Sequence, residues 1–234
     1  MKIGKNISLS LSLAIAAVFA FPSAGNAVTL STGPYPGKNL QKVEVVHYAN
    51  AKPGAATTKT GGGYKLTGYK LGLGGNCYLN TSGVDEGAVS KFQAAVDTWD
   101  AATSAEIFGS VTSDSDAVYG DLDGKNSIVF DRYPTDGVIA VTAYWVDRST
   151  RIVVEFDMMY NTYYQWGTVE SNGTGVMDIQ NIATHEFGHA FGLSDIYSSA
   201  YSHVTMYGYS NFGDIAKRTL DPQDVLGIQK IYGK

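Results

Sequence analysis

Two histidines and a glutamate near the carboxyl-terminal end could hold and use a metal ion. His185 and His189 are four residues apart, and Glu186 directly follows the first of them. On a helix, residues four apart lie about 40° from one another, so both imidazoles share a face and can bind one zinc ion. Zinc lowers the pKa of a bound water to about 7, and Glu186 can take the proton when that water attacks a carbonyl. These three residues therefore predict metal-assisted hydrolysis.

A catalytic zinc commonly takes three protein ligands and leaves one position open. A later glutamate is excluded as the third ligand because the chain has no Glu after Glu186. The remaining candidates are Asp195, His203, Asp214, Asp221 and Asp224. Asp195 lies six residues after His189, and a turn at Gly192 can return it to the metal-binding face, whereas His203 lies fourteen residues after His189. The spacing favours Asp195.

The surrounding residues predict the helix that positions the two histidines. Asp178 is a suitable N-cap, and Gly192 stands where a helix-terminating glycine is expected. Apolar residues recur between them with helical spacing, at Ile179, Ile182, Ala183, Phe187 and Ala190. This stripe is centred roughly 120° from the histidines. We expect one side of the helix to pack in a core and the histidines to face a cleft.

The extended motif resembles the signature of the metzincin zinc proteases. Residues 185–195 read His-Glu-Phe-Gly-His-Ala-Phe-Gly-Leu-Ser-Asp, with Asp195 where most metzincins have a third histidine. The segment 204–209, which holds Met206, resembles the methionine turn beneath the zinc. Residues 220–233 resemble the closing helix of a matrixin. The resemblance covers residues 73–234 and is nearest to matrixin-like proteases of prokaryotes.

This resemblance implies both a fold and an activity. The fold is an α+β catalytic domain with a twisted, mostly parallel five-stranded sheet and three helices. The activity is that of a zinc endopeptidase, with one catalytic zinc on His185, His189 and Asp195, Glu186 as general base, and Met206 below the metal without binding it. The alternative function is a catalytically inactive, zinc-stabilised extracellular binding module.

Two tyrosines after the methionine turn are candidates for the substrate pocket. Matrixins place Pro-x-Tyr at this point, whereas the present chain has Gly208-Tyr209, one residue tighter and without the proline. The resemblance therefore implies that Tyr207 or Tyr209 borders the pocket, and leaves open which of the two does.

Composition limits the choice of partners. The chain has 234 residues, 44% hydrophobic and 17% charged, and a formal net charge of −5. It has no basic patch, so we expect no nucleic-acid partner. The expected partner is a protein or peptide substrate, and the expected state is a monomer.

The amino-terminal residues predict export. Residues 1–27 combine two early lysines, an apolar run from Ile7 to Phe21 and small residues before the predicted cleavage site, as in a signal peptide. A single membrane anchor is the alternative. The run is short for that, so we expect a secreted, extracellular protein without stable membrane insertion after cleavage. Residues 28–72 are then an N-terminal extension or short propeptide, and residues 73–234 form the catalytic domain.

The extension and the start of the domain carry few other signals. Residues 43–48 predict one short strand, and His47 within it is isolated and suggests no function. Cys77 is the single cysteine, which excludes an internal disulfide. Matrixins are often kept latent by a propeptide cysteine. Residues 75–80 do not match that motif and alternate like a strand.

Several further elements are expected in the catalytic domain. A helix is predicted from Ala88 to Trp99, with Ser82 or Asp85 as its cap, and a last helix begins at the N-cap Asp221. Strands are predicted at 77–81, 107–111, 127–130, 138–146 and 152–159. The resemblance implies that strand 138–146 is the sheet edge to which a peptide substrate adds.

Acidic residues between two of these strands suggest a second kind of site. Asp114, Asp116, Asp121 and Asp123 supply carboxylates of the kind that calcium prefers. The segment lacks the glutamate that completes an EF-hand loop, so an ordinary Asp-Gly turn is favoured and structural calcium is the alternative.

Overall fold

The computed structural model describes residues 30–32, 39–49 and 62–234, with side chains from residue 39 onward. The predicted signal peptide, residues 1–27, lies outside the described residues. Within the described residues no helix is long and apolar enough to cross a membrane.

Eleven strands are present in the described residues. In chain order they are β1 (Leu30–Thr32), β2 (Leu40–Ala49), β3 (Lys70–Leu71), β4 (Gly75–Leu79), β5 (Phe108–Ser113), β6 (Asn126–Asp131), β7 (Val138–Asp147), β8 (Ile152–Asn161), β9 (Trp166–Gly167), β10 (Met177–Asp178) and β11 (Tyr209–Ser210). The four α-helices in the same part of the chain are α1 (Ala88–Asp100), α2 (Val169–Asn172), α3 (Ile179–Phe191) and α4 (Pro222–Tyr232).

Five strands form the expected twisted, mostly parallel sheet. Their order is β5-β4-β6-β8-β7. The first three pairings are parallel, and β7 runs antiparallel to β8. With the three longer helices α1, α3 and α4, this arrangement confirms the predicted α+β fold.

The prediction that β7 is the edge of the sheet is wrong for this chain. Strand β2 pairs with β7 in antiparallel register along its length, from Leu40 opposite Asp147 to Tyr48 opposite Val138. Strand β1 pairs with the outer side of β2, and β11 pairs with its carboxyl-terminal end in parallel. Strands β1 and β2 thus extend the sheet beyond β7, and β2 pairs with backbone groups that β7 would otherwise present to solvent.

Helices α1 and α3 pack together and form the main core with the sheet. Trp99 of α1 meets Phe191 of α3 edge to face, with ring centroids 6.4 Å apart. Its indole Nε1 donates a hydrogen bond to Thr184 O at 2.8 Å. Phe108 of β5 lies within 6.1 Å of the rings of both Phe187 and Phe191. The aromatic side chains therefore fix α3, which carries the metal-binding motif, relative to the sheet.

The predicted helix boundaries differ in accuracy. Helix α4 begins as expected, since Asp221 and Asp224 form a reciprocal capping box around Pro222. Helix α1 begins after Gly87 without a side-chain cap. The predicted capping roles of Ser82 and Asp85 are therefore wrong, because Asp85 Oδ1 instead accepts a hydrogen bond from Gly87 N within the preceding turn.

Candidate metal centre and active site

Helix α3 begins and ends at the two residues that the sequence predicts, Asp178 and Gly192. Asp178 is its N-cap and accepts a hydrogen bond from Asn181 N at 2.9 Å, while the Arg218 guanidinium donates to the same carboxylate. Gly192 ends the helix with φ +114°, a conformation that other residues rarely adopt. A Cβ at Gly192 would also lie 2.3 Å from Tyr69 O. The chain therefore turns back at Gly192, as the position of Asp195 requires.

Three electron-pair donors converge after this turn. His185 Nε2 and His189 Nε2 are 3.1 Å apart, and Asp195 Oδ1 lies 3.2 Å from the first and 3.4 Å from the second. The three residues form a group that could hold a metal ion. A tetrahedral zinc with bonds of about 2.0–2.2 Å has its ligand atoms about 3.3–3.6 Å apart, so the 3.4 Å separation lies within that range and the separations of 3.1 and 3.2 Å are slightly shorter.

The other ring nitrogens determine which atoms are free to bind. His185 Nδ1 donates to Thr205 O at 2.8 Å, and His189 Nδ1 donates to Leu193 O at 3.0 Å. Because Nδ1 carries the proton in each neutral ring, both Nε2 atoms are unprotonated, and their lone pairs face each other. Asp195 Oδ1 is buried and accepts no hydrogen bond. A cation between three buried lone-pair atoms would stabilise their close contact, so the residues fit the zinc that the motif predicts.

The pKa shifts of His185 and Asp195 suit cation ligands, whereas that of His189 favours a proton. Burial, followed by the charge of Lys217, lowers the pKa of His185 to about 3, so its ring is neutral. Burial alone would raise the pKa of Asp195, but the nearby His189 and His185 outweigh it and hold that pKa well below its usual value. Burial would likewise lower the pKa of His189, but the Asp195 carboxylate outweighs it and raises that pKa, so a metal ion that binds here displaces a proton from His189.

Glu186 is buried beside the three donors, and each of its carboxylate oxygens has a partner. Thr142 Oγ1 of β7 donates to Oε2 at 2.6 Å. His47 Nδ1 of β2 lies 2.9 Å from Oε1. Burial raises the pKa of Glu186 to about 7, which suits a general base near neutral pH.

Met206 lies directly against the middle of α3. An added Cβ at Gly188 would lie 2.3 Å from Met206 Sδ, so the helix and the methionine approach as closely as a glycine permits. The backbone here is anchored by Asp224 of α4, which accepts hydrogen bonds from Thr205 N at 2.7 Å and Met206 N at 3.2 Å. Because Thr205 O is the partner of His185 Nδ1, this anchor also orients a metal-binding ring.

A comparison with known families agrees with this geometry. A family model described as Matrixin, of peptidase family M10, matches residues 79–233. The chain belongs to the matrixin family. Membership supports a metallopeptidase in general, acting on proteins or peptides and binding zinc as its family does.

The two candidate pocket tyrosines of this matrixin lie close to the metal-binding group. The Tyr207 and Tyr209 rings are 5.6 Å apart, and Tyr209 is 5.2 Å from Tyr197. The Tyr197 hydroxyl donates to Asp195 Oδ2 at 2.8 Å. Tyr209 belongs to β11 and is paired with Tyr48 of β2. A series of ring contacts through Tyr197 thus connects both tyrosines with the third predicted ligand, and Tyr209 lies where β2 ends.

Other residues considered as ligands have different positions in the matrixin. The His203 side chain is 60% exposed and lies 3.6 Å from Asp221 Oδ2. Asp221 and Asp224 cap α4, and Asp214 Oδ2 accepts a hydrogen bond from Asn211 N at 2.7 Å. None of these residues belongs to a metal-binding group of the described part of the chain.

The acidic segment after β5 is organised as a turn. Asp114 forms an ion pair with Lys125 Nζ at 3.0 Å, and Asp123 Oδ1 accepts a hydrogen bond from Lys125 N at 2.9 Å. Its carboxylates form no group that could hold a metal ion in the described residues. These contacts favour the Asp-Gly turn, and structural calcium stays a prediction.

Cys77 is fully buried in β4, in agreement with the expected strand.

Two features of the site departed from the sequence-based prediction. The histidines do not face an open cleft, since His185 and His189 are both almost completely buried. His47, to which no function was given, contacts Glu186 and lies 4.0 Å from His185 between ring centroids. One feature of the sequence could have indicated that His47 is buried. This residue lies two residues after Val45 and four after Val43, and this alternation predicts an inward-facing side chain on a half-buried strand.

Two further contacts had no sequence signal. Thr142 lies in an apolar strand, where its hydroxyl does not stand out. Lys217 is a buried lysine whose Nζ donates to Tyr207 O and lies 3.4 Å from His185 Nδ1. Burial lowers the pKa of Lys217 to about 8. Its position depends on a turn that packs against α3, which local spacing does not predict.

Proposed function

We propose that this matrixin is a secreted zinc-dependent endopeptidase, with His185, His189 and Asp195 as the zinc ligands. The proposal is supported above all by the convergence of three buried lone-pair atoms, 3.1–3.4 Å apart, beside the buried Glu186 carboxylate. A structural zinc would have four protein ligands, whereas this group supplies three, as catalytic sites do.

The residues around the metal have separate tasks. When bound, zinc polarises the scissile carbonyl and makes water a stronger nucleophile. Glu186 accepts the proton of that water and passes it to the leaving amine. Thr142 donates to one Glu186 oxygen and orients the carboxylate, so that the other oxygen is the one that handles the proton. Tyr197 orients Asp195 through its second oxygen.

Casein cleavage by the secreted protein tests this proposal. We expect a measurable basal rate of cleavage that a chelator stops and that added zinc restores. Glu186→Ala should keep its zinc, since Glu186 is not one of the three ligands, and should lose nearly all turnover. Zinc content and cleavage should be measured on the same preparations. A Glu186→Ala variant that cleaves as fast as the parent would contradict the assignment of the base.

The alternative, an inactive zinc-stabilised binding module, gives a different result. It would bind zinc in both forms and cleave nothing in either. Export is tested separately, because the composition of residues 1–27 supports a signal peptide. Mass spectrometry of the secreted protein should show an amino terminus near residue 28.

A further inference from the structure

Strand β2 lies where a peptide substrate of the proposed endopeptidase would have to bind. An extended peptide binds a sheet by adding a strand to a free edge, with main-chain hydrogen bonds supplying affinity. The strand nearest Glu186 is β7, through Thr142. Strand β2 pairs with β7 over nine of its ten residues, from Leu40 to Tyr48. A substrate and β2 therefore cannot pair with β7 at the same time.

A second strand holds the far end of β2. Tyr48 and Ala49 pair in parallel with Tyr209 and Ser210 of β11. The end of β2 thus runs between β7 and the segment that follows the methionine turn. The chain in this groove is extended and paired on both sides, as a bound peptide would be.

We propose that residues 39–49 are an internal occupant of the peptide groove, which keeps the endopeptidase latent, and that His47 blocks its catalytic base. This inference rests on the proposed function. It identifies the ligand of the groove as an extended segment of the chain itself.

The inward-facing side chains of β2 follow the groove to the active site. Val43, Val45 and His47 alternate along the strand and lie opposite Tyr144, Thr142 and Ala140 of β7, on the face toward α3. The two valines belong to the main core, and His47 is completely buried. Two apolar side chains thus anchor the strand and deliver the imidazole to Glu186.

His47 contacts the Glu186 carboxylate, which is the general base of the proposed reaction. With Thr142 on the other oxygen, His47 Nδ1 occupies Oε1, the Glu186 oxygen that would otherwise accept the proton of the water. The His47 Nε2 atom is buried and has no hydrogen-bond partner. A histidine kept only for packing commonly has both nitrogens satisfied. This imidazole is instead positioned by its contact with the base.

His47 is not part of the proposed zinc group. It forms a second group with His185 and Glu186, which shares His185 with the proposed ligands His185, His189 and Asp195. In this proposal the block acts on the base, through the 2.9 Å contact of His47 Nδ1 with Glu186 Oε1, and the metal stays in place. A thiol block is excluded, because Cys77 is fully buried in the core of the sheet.

Replacement of His47 in the full secreted chain tests the inference. We expect His47→Ala to retain zinc and to cleave casein roughly 10- to 100-fold faster than the parent, because a buried hydrogen bond to a charged group is lost from the closed form only. Hydrogen exchange of the β7 amides should speed up by a similar factor. His203→Ala is the matched control, since His203 is largely exposed, and should change neither quantity.

Three results would overturn the inference. Loss of zinc in His47→Ala would make His47 a ligand. Slower cleavage with zinc retained would make it a positioning residue of the open enzyme. Unchanged exchange and unchanged cleavage would show that β2 does not compete with substrate. A variant with faster β7 exchange and bound zinc, but no cleavage of casein, would instead retain the occupancy of the groove and refute the peptidase function.

A second variant keeps the test valid if His47→Ala does not fold. A recognition sequence for a site-specific protease can be inserted within residues 50–61, downstream of β2, in an otherwise unchanged chain. After cutting and dilution, we expect the fragment that carries β2 to separate in size-exclusion chromatography while casein cleavage rises. The fragment could instead leave without any rise in casein cleavage, although hydrogen exchange of β7 has increased and zinc is retained. That result would again count against the peptidase function. A fragment that stays bound in the presence of excess casein, with cleavage unchanged, would refute the latency.

Discussion

Replacement of Gly188 by alanine should destabilise the protein, although helix propensity alone predicts the reverse. In a helix interior, alanine is favoured over glycine by about 1 kcal/mol. At Gly188, however, the new Cβ would lie 2.3 Å from Met206 Sδ and 2.9 Å from Trp99 Cζ2. Both neighbours are buried, and the Trp99 ring is held by its hydrogen bond to Thr184 O.

The size of the effect follows from these two terms. Overpacking of a core costs about 1–3 kcal/mol, and two neighbours that must both move place this site in the upper part of that range. After the gain in helix propensity, we expect the free energy of unfolding to fall by about 1–2 kcal/mol. For a protein of this size, the melting temperature should then fall by roughly 2–8 °C.

Thermal unfolding monitored by circular dichroism measures this change. Gly175→Ala is the matched control, because a Cβ there meets nothing within 4 Å. It should alter the free energy of unfolding by less than about 0.5 kcal/mol. A Gly188→Ala protein that melts at or above the temperature of the parent would refute the close packing of Met206 beneath α3.

Two further substitutions test the metal centre and its support. Asp195→Ala should weaken zinc binding strongly and abolish casein cleavage, whereas His203→Ala should keep its zinc, as measured by metal analysis after dialysis; zinc lost only on changing His203 would overturn the proposed ligand set. Asp224→Ala removes the acceptor for Thr205 N and Met206 N, so we expect a loss of about 2–4 kcal/mol in urea-induced unfolding, and a loss below about 1 kcal/mol would contradict the anchoring role.

The sequence predicted the elements that are specified locally. Helix α3 has its N-cap at Asp178 and its terminating glycine at Gly192, as expected, and both signals act within a few residues. The convergence of His185, His189 and Asp195 also follows from local spacing, because one helical turn and one reversal bring the three donors together.

The sequence did not predict what depends on distant pairing. Alternation at residues 43–48 indicated a strand, and the strand exists, but its partner lies about a hundred residues later in the chain. Periodicity reports which face of a strand is buried and carries no information about its neighbour. His47 was therefore correctly placed on a strand, and its contact with Glu186 could not be anticipated.

The nine residues from Val138 to Val146 are all buried, and β2 supplies one side of that burial. Without β2, the sheet would end in a long, apolar strand with unpaired amide and carbonyl groups, which is the type of edge that recruits other chains and aggregates. Strand β2 therefore has a consequence for the fold that is independent of catalysis. It covers this edge, and we expect a form that has lost residues 39–49 to expose β7 to bound peptide or to other chains.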